Sequence, residues 1–351
     1  MDKLKIILKG IKYNIIALKY LIKEERISSS REKLMAKLWC LLHGFTSSKY
    51  ELYNFKSDNY KLYLSDFARR KTERINGKYA LIINDKNIFT KIFQNDKLVA
   101  QIFGEIKNGN IIMNNIVKSF DDFYNLLKVN KSLFIKKQSG GGGKGIFKLS
   151  IEDEVIYLNN KEIDIADCKN FINSLSKHLI VEELTQAEYS QKIYSGTINS
   201  IRVITMRDPK TNDVFIPIAV HKFGSDLTKP VDNVWKGGMT SLVNLSTGQL
   251  GKPAYHKNNN HKIEWISTHP DTEEPIEGVI IPEWDKVKEI VLGAARSQEN
   301  LKYVGWDVVV TKKGVKLIEG NNYSEVSILQ IHQPLLKDDK VKKFYEFHKI
   351  I

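Results

Sequence analysis

The sequence predicts an α+β protein with a helical N-terminal region, and three patterns predict it. Short apolar runs alternate with period two and turn back at polar dipeptides, as in "YVGWDVVVT-KKG-VKLIEGN", which is hairpin texture. Other stretches, such as "PEWDKVKEIVLGAARSQEN", carry apolar residues at three- and four-residue steps, which is helix texture. A run of four glycines, Gly140–Gly143, separates two strand-like segments rather than leading into a helix.

The elements follow in chain order. Residues 3–23 form an amphipathic helix with Leu4, Ile7, Leu8, Ile11, Ile15, Leu18 and Ile22 on one stripe and Lys5, Lys9, Lys12, Lys19 and Lys23 largely off it. That stripe is expected to pack on the protein itself. Peripheral contact with an anionic inner-membrane face is the alternative. Ser28–Ser30 break the pattern, and a second helix ends near Gly44. Beyond residue 75, "YALIIND" is a short apolar run and "KNIFTKIFQND" a helix with Ile88, Phe89 and Ile92 on one face. "LVAQIFGEIKNGNII" reads as strand and loop, and "SFDDFYNLLKVN" as a helix with Ser119 at its N-cap. "SLFIKKQ" is a strand, residues 146–163 a β-hairpin or meander, residues 164–177 a helix, and "HLIVEEL" a strand. Two strands then flank the "DPKTND" turn, and a loop-and-strand region, a helix opened by Pro282 and the closing hairpin complete the chain.

Bulk properties narrow the function. Apolar residues make up 42% of the 351, enough for a substantial core, and the length suits two domains. A net charge of +13 favours anionic partners, although a Lys- and Asn-rich composition alone makes a protein basic. Cys40 and Cys168 are far apart, with neither metal-ligand spacing nor a disulfide framework, so a cytoplasmic setting is expected. No secretory signal and no transmembrane run are expected, and no basic, aromatic-rich strand suggests nucleic acid.

The glycine run, behind Lys136 and Lys137, suits phosphate. It is not a P-loop, because Gly145 stands where Ser or Thr should follow the lysine and Gln138 where the first glycine should be. It is not a dinucleotide fingerprint, because strand texture follows it instead of a helix. A glycine-rich hairpin folded over nucleotide phosphates remains. The kinase version needs H-R-D and D-F-G downstream, and neither occurs.

With its lysine ahead of the loop, the pattern K-x-x-x-G-x-x-G-x-G on Lys136, Gly140, Gly143 and Gly145 resembles the ATP-grasp enzymes. So do Asn84-Asp85-Lys86, the acidic hinge Glu182-Glu183-Leu184, the strand arginine Arg202, and Asp307 followed by the Glu319-x-Asn321 pair. Residues two apart on a strand share a face, so Glu319 and Asn321 are able to share a metal. The blocks "TINSIRVITM", "VDNVWKGGM" and "VGWDVVVTKKGVKLIEGN" resemble the sugar-transfer-associated ATP-grasp group, over about residues 80–330. Lys137 departs from that group, which usually has proline there.

The resemblance implies two α+β lobes clasping ATP: a helical region over 1–75, a small lobe over 76–183 carrying the glycine flap, and a large lobe over 184–351 carrying the metal site. It implies phosphate or nucleotide contacts from Lys86, Lys136, Gly142, Gly143 and Lys144, adenine at Glu182, Glu183 and Leu184, and the ribose at Glu188 or Gln186. It implies two magnesium ions on Asp307, Glu319 and Asn321, with Arg202 and Lys136 catalytic. The loop Asp232, Asn233, Lys236, Gly237 and Gly238 is expected to border the substrate, with an ordinary glycine turn as its alternative. The implied reaction joins a carboxylate, such as a uronic acid of a surface glycan, to an amino acid amine. A sugar-phosphorylating kinase and a basic polyanion- or membrane-binding module are the alternatives.

Overall fold

The computed structural model describes residues 2–27, 32–56, 58–94, 98–140, 145–257 and 263–351. The predicted break at Ser28–Ser30 and the flap residues Gly142, Gly143 and Lys144 lie outside them.

Four helices come first: α1 (Asp2–Ile27), α2 (Leu34–Leu42), α3 (Ser48–Leu52) and α4 (Asp66–Thr72). The apolar run "YALIIND" becomes a 3-10 turn and the short helix α5 (Leu81–Asn84), followed by α6 (Lys86–Phe93). Asp85 caps α6 by accepting from the N–H groups of Asn87 at 2.9 Å and Ile88 at 3.1 Å.

The first antiparallel sheet contains β1 (Ile102–Lys107), β2 (Asn110–Met113), β3 (Ile116–Lys118), β4 (Ser132–Lys137), β5 (Ile146–Glu152), β6 (Val155–Leu158), β7 (Lys161–Ile163) and β8 (His178–Glu182). Its order is β3-β2-β1-β8-β4-β5-β6-β7. The strand-and-loop segment after residue 98 is thus itself a hairpin, β1–β2. Helices α7 (Phe120–Asn130) and α8 (Ile165–Ser174) cover one face, over Leu133, Ile135, Leu149 and Ile180. Ser119 and Asp122 form a capping box at the start of α7, as the sequence predicts for Ser119. Phe134 and Lys136 alternate with that buried set and face the other way.

After α9 (Glu188–Ile193), a second antiparallel sheet is built from β9 (Ile201–Arg207), β10 (Val214–Phe215), β11 (Ala219–Phe223), β12 (Met239–Leu242), β13 (Ala254–Tyr255), β14 (Glu264–Trp265), β15 (Tyr303–Thr311) and β16 (Gly314–Asn321). It runs β14-β13-β12-β11-β9-β15-β16, with β10 beside β9. One face packs under α10 (Trp284–Ser297), α5 and α6 through Val287, Val291, Ile83, Phe89, Trp306 and Leu317. The opposite face packs against α4, α11 (Ser327–Gln330) and α12 (Asp339–Phe347) through Ala68, Ile204, Met206, Leu329 and Phe344. Pro282 lies ahead of α10, whose N-cap Glu283 takes a left-handed φ of 55°. Because α5 and α6 bury Ile83, Phe89 and Phe93 with the second sheet, we propose drawing the small-lobe boundary near residue 100 rather than 76.

The N-terminal region is stitched to this second sheet. Asn76 accepts from the backbone N–H of Lys302 (2.7 Å) and donates to the Tyr303 carbonyl (2.6 Å), while Asn322 donates to the Glu73 carbonyl (2.9 Å). Arg69 of α4 is buried, donates to the Ser324 carbonyl at 2.9 Å and pairs with Glu325 at 3.0 Å. Here α1 departs from expectation. The face turned to the protein carries Ala17, Leu21 and Tyr20, whereas Ile11, Ile15, Leu18 and Ile22 stand about half exposed. Small Ala17 allows close approach, and Tyr20 and Tyr13 find cationic partners in Arg70 and Arg74.

Two outcomes follow. At Gly320 an added Cβ would stand 2.8 Å from Ile83 and 3.4 Å from the Phe89 ring, so Gly320→Ala is expected to cost about 1–3 kcal/mol in urea unfolding. Burial raises the Glu325 carboxyl, but Arg69 and Lys49 outweigh it and bring it from 4.5 down to about 2. A depressed acid stabilises the fold above its unfolded value, and that contribution is lost as pH falls from 4.5 toward about 2. Glu325→Gln should therefore be less stable than wild type at neutral pH and converge with it at the acid end. Parallel stability curves would contradict the pairing.

Candidate active site

Between the two sheets lies a cleft of about 430 Å³. The small sheet contributes Phe134, Lys136 and Ile146, and the large sheet Arg202, Lys222, Asp307, Glu319 and Asn321. Strand register explains the gathering. Arg202 is opposite Asp307 across β9–β15, and Asp307 is opposite Glu319 across β15–β16, with a bulge just beyond. Arg202 shares its face with Ile204 and Met206, so the strand is core along most of that face and polar at the cleft end.

The Arg202 guanidinium donates Nε to Asp307 Oδ1 at 2.6 Å and Nη2 to Oδ2 at 2.9 Å, the two-pronged geometry that suits arginine. Lys222 Nζ stands 3.5 Å from Asp307 and 3.5 Å from Asp232. Burial pushes the Asp307 carboxyl up, but Arg202 and Lys222 together hold it well below the ordinary range. Burial works against the Arg202 charge, and Asp307 restores it. Glu319 sits within hydrogen-bonding reach of Asp307 and pairs with Lys86 at 3.1 Å.

Lys86 is held at the start of α6. Its N–H donates to the Gln138 carbonyl at 3.0 Å, its Nζ donates to the Gly140 carbonyl at 3.1 Å, and Gln138 ties Asp85 at 2.9 Å. The "NDK" turn is therefore fastened to the strand leading into the glycine run. Lys136 enters the cleft over the Phe134 ring at 5.3 Å. Burial pushes its ammonium below the usual lysine range; Glu319 opposes that and Lys86 adds to it.

The remaining sequence-selected residues divide. Glu182 and Leu184 line the cleft, and Glu182 also exchanges hydrogen bonds with Gln101. Glu183 is turned toward Lys148 (2.8 Å) and Ser132 and lines a smaller neighbouring pocket. Glu188 is exposed on the first turn of α9 and lines neither. Gln186 is buried, donating to the carbonyls of Tyr194 (2.8 Å) and Thr197 (3.0 Å). Asp232 and Asn233 line the cleft, and Asp232 accepts from the Ser200 N–H at 2.9 Å. Lys236 points to solvent, and Gly237 and Gly238 lie outside the cleft wall. Gly237 takes φ +108°, and a Cβ on Gly238 would meet the Phe223 carbonyl at 2.8 Å, so this pair serves the turn.

Lys222, Ser200, Trp235, Tyr323 and Glu325 line the cleft although sequence reasoning passed over them. Lys222 had a signal. It lies two residues from buried Val220, so alternation points it inward, where a lysine needs an anion.

The donor set fits a hard divalent cation. Asp307, Glu319 and Asn321 present carboxylate and carboxamide groups on one cleft wall, and the carboxylate oxygens engaged by Arg202 keep further lone pairs.

The profile of the sugar-transfer associated ATP-grasp family matches residues 66–343. No curated protein matches the chain. Among solved structures it is similar to the ATP-grasp ligase PsnB complexed with minimal precursor, at 12% identity over 72% of this chain and 56% of that one, TM-score 0.38. It is similar to N5-carboxyaminoimidazole ribonucleotide synthetase from Thermotoga maritima, at 12% identity over 70% and 43%, TM-score 0.37. It is also similar to D-alanyl-alanine synthetase A from Vibrio cholerae O1 biovar eltor, at 13% identity over 76% and 66%, TM-score 0.42. The chain spans about half the length of the first two. The match over residues 66–343 makes the chain a member of the sugar-transfer associated ATP-grasp family.

Proposed function

We propose that this protein is an ATP-dependent carboxylate–amine ligase that joins an amino acid to a uronic acid carboxylate during capsule or other surface polysaccharide synthesis in the cytoplasm. The observation that carries the ligase reading is the convergence of Lys86, Lys136, Arg202, Lys222, Asp307, Glu319 and Asn321 on one cleft, with Lys136 alone among them coming from the small sheet. The glycan assignment rests on the family's association with sugar transfer.

In this reading the adenine lies between Phe134, Ile146, Leu184 and Ile318, with the Glu182–Leu184 backbone reading its edge. Gly142, Gly143 and Lys144, outside the described residues, keep the phosphate role that the family resemblance implies, since glycine backbone N–H groups approach phosphate closely. Lys136 suits the phosphate role because its buried charge is costly until an anion arrives. The carboxylate oxygen of the acid attacks the γ-phosphorus and ADP departs, giving an acylphosphate. The amine nitrogen then attacks the acyl carbon, loses a proton and expels phosphate, leaving an amide. Both steps crowd negative charge, which Lys86, Lys136, Lys222 and Arg202 offset. Asp307, Glu319 and Asn321 would hold magnesium, which when bound neutralises phosphate charge. Asp232, Asn233, Trp235 and Tyr323 border the space left for the acid and the amine.

Purified protein with ATP, magnesium, a uronic acid and an amino acid is expected to release ADP only when both acceptors are present. Glu319→Ala and Asp307→Asn should each lower kcat/KM by about 100-fold or more, and chelation of the metal should stop turnover. Glu188→Ala and Lys236→Ala should stay within about twofold of wild type, as exposed substitutions away from the cleft. A phosphorylated sugar with no amide would replace the ligase reading with a kinase. ADP release that survives Glu319→Ala would remove the metal assignment.

A further inference from the structure

The outer face of the N-terminal helices is not used by the cleft chemistry. Nine of the 21 exposed large apolar side chains among the described residues fall between positions 11 and 42, so α1, α2 and the residues between them carry more than their share. On α1, Ile11, Ile15, Leu18 and Ile22 recur at four- and three-residue steps and are 42–51% exposed. On α2, Leu34, Met35, Leu38 and Leu42 are 48–84% exposed.

Charge accompanies the apolar line. Lys12, Lys19, Lys23 and Arg26 are exposed about a quarter-turn from it. Through residue 42 the sequence carries ten Lys or Arg against four Asp or Glu, a net +6 of the chain's +13. Glu25 is turned inward, accepting from the Ser47 N–H at 2.7 Å and its hydroxyl at 2.6 Å. An apolar line bordered by long cationic side chains is the pattern of a helix lying in the interface of an anionic bilayer. The stems cover apolar surface while the ammonium groups reach lipid phosphates. No helix among the described residues is long and apolar enough to cross a membrane, so the contact is parallel to the surface.

We propose that α1 and α2 dock this protein on an anionic lipid bilayer. A second copy of the chain fits the face less well, because it brings another +13 to a basic surface. The inner side of α1 ties this docking to the cleft. Tyr20 meets Tyr323 edge to face at 6.0 Å between ring centres, and Tyr323 lines the cleft two residues beyond Asn321. A docked α1 holds that wall about one helix diameter, roughly 10 Å, from the lipid surface.

The test is co-sedimentation of the full chain with vesicles of about one-third phosphatidylglycerol in phosphatidylcholine, beside pure phosphatidylcholine vesicles, at low and high salt. Wild type is expected to sediment with the anionic vesicles at low salt and much less with the neutral ones. The Ile15→Glu/Leu18→Glu and Lys19→Glu/Lys23→Glu variants should each bind anionic vesicles about tenfold more weakly. Both should keep the wild-type circular dichroism melt, since these side chains are exposed, and that control is independent of the reaction. Equal binding by wild type and variants would overturn the proposal, as would equal binding to both vesicle types. So would a dimer in sedimentation equilibrium that Ile15→Glu/Leu18→Glu splits while wild type ignores vesicles.

Discussion

The buried pair between Arg202 and Asp307 is the interaction on which the rest of the site depends. It locks the cleft ends of β9 and β15 in register and aims the Asp307 carboxylate across the sheet. Buried ion pairs contribute little net stability, because desolvation offsets the attraction. This one is better understood as orientation. Lys222 stands 3.5 Å from both Asp307 and Asp232, so it links this pair to the loop that borders the cleft. The β15–β16 hairpin then brings Glu319 beside Asp307, and α6 brings Lys86 to Glu319.

The helical N-terminal region is part of this architecture and not an appendage. Arg69 holds Glu325, and Asn76 and Asn322 join α4 and its following turn to β15 and the segment after β16. The aromatic cluster around Phe45, Tyr53 and Phe55 reaches Trp235 on the cleft wall. Changes in α2–α4 therefore have a short mechanical route to the Trp235 side of the cleft.

Much of this was legible in the sequence, for identifiable physical reasons. Hairpins announce themselves by period-two alternation, so β5–β7 and β15–β16 were readable, and Ser119 announced its capped helix. The family resemblance named Asp307, Glu319 and Asn321, and the β15–β16 register gathers them on one cleft wall, since residues two apart share a strand face. Local spacing fails where long-range packing decides. The α1 stripe looked like a core face, yet Tyr20, with Arg70 and Tyr323 as partners, turned the helix the other way. The resemblance points to Glu188 for the ribose and the glycine loop to Lys236 for the substrate, but a helix turn and a 3-10 turn carry both to solvent. Lys222 was overlooked because its anions, Asp232 and Asp307, come from distant segments.

The most direct measurement is a crystal structure with magnesium and a non-hydrolysable ATP analogue. The account predicts metal density on Asp307, Glu319 and Asn321, γ-phosphate oxygens against Lys86 and Lys136, and adenine between Phe134 and Ile318. A nucleotide bound elsewhere, or in this cleft with no metal on Glu319, would contradict it.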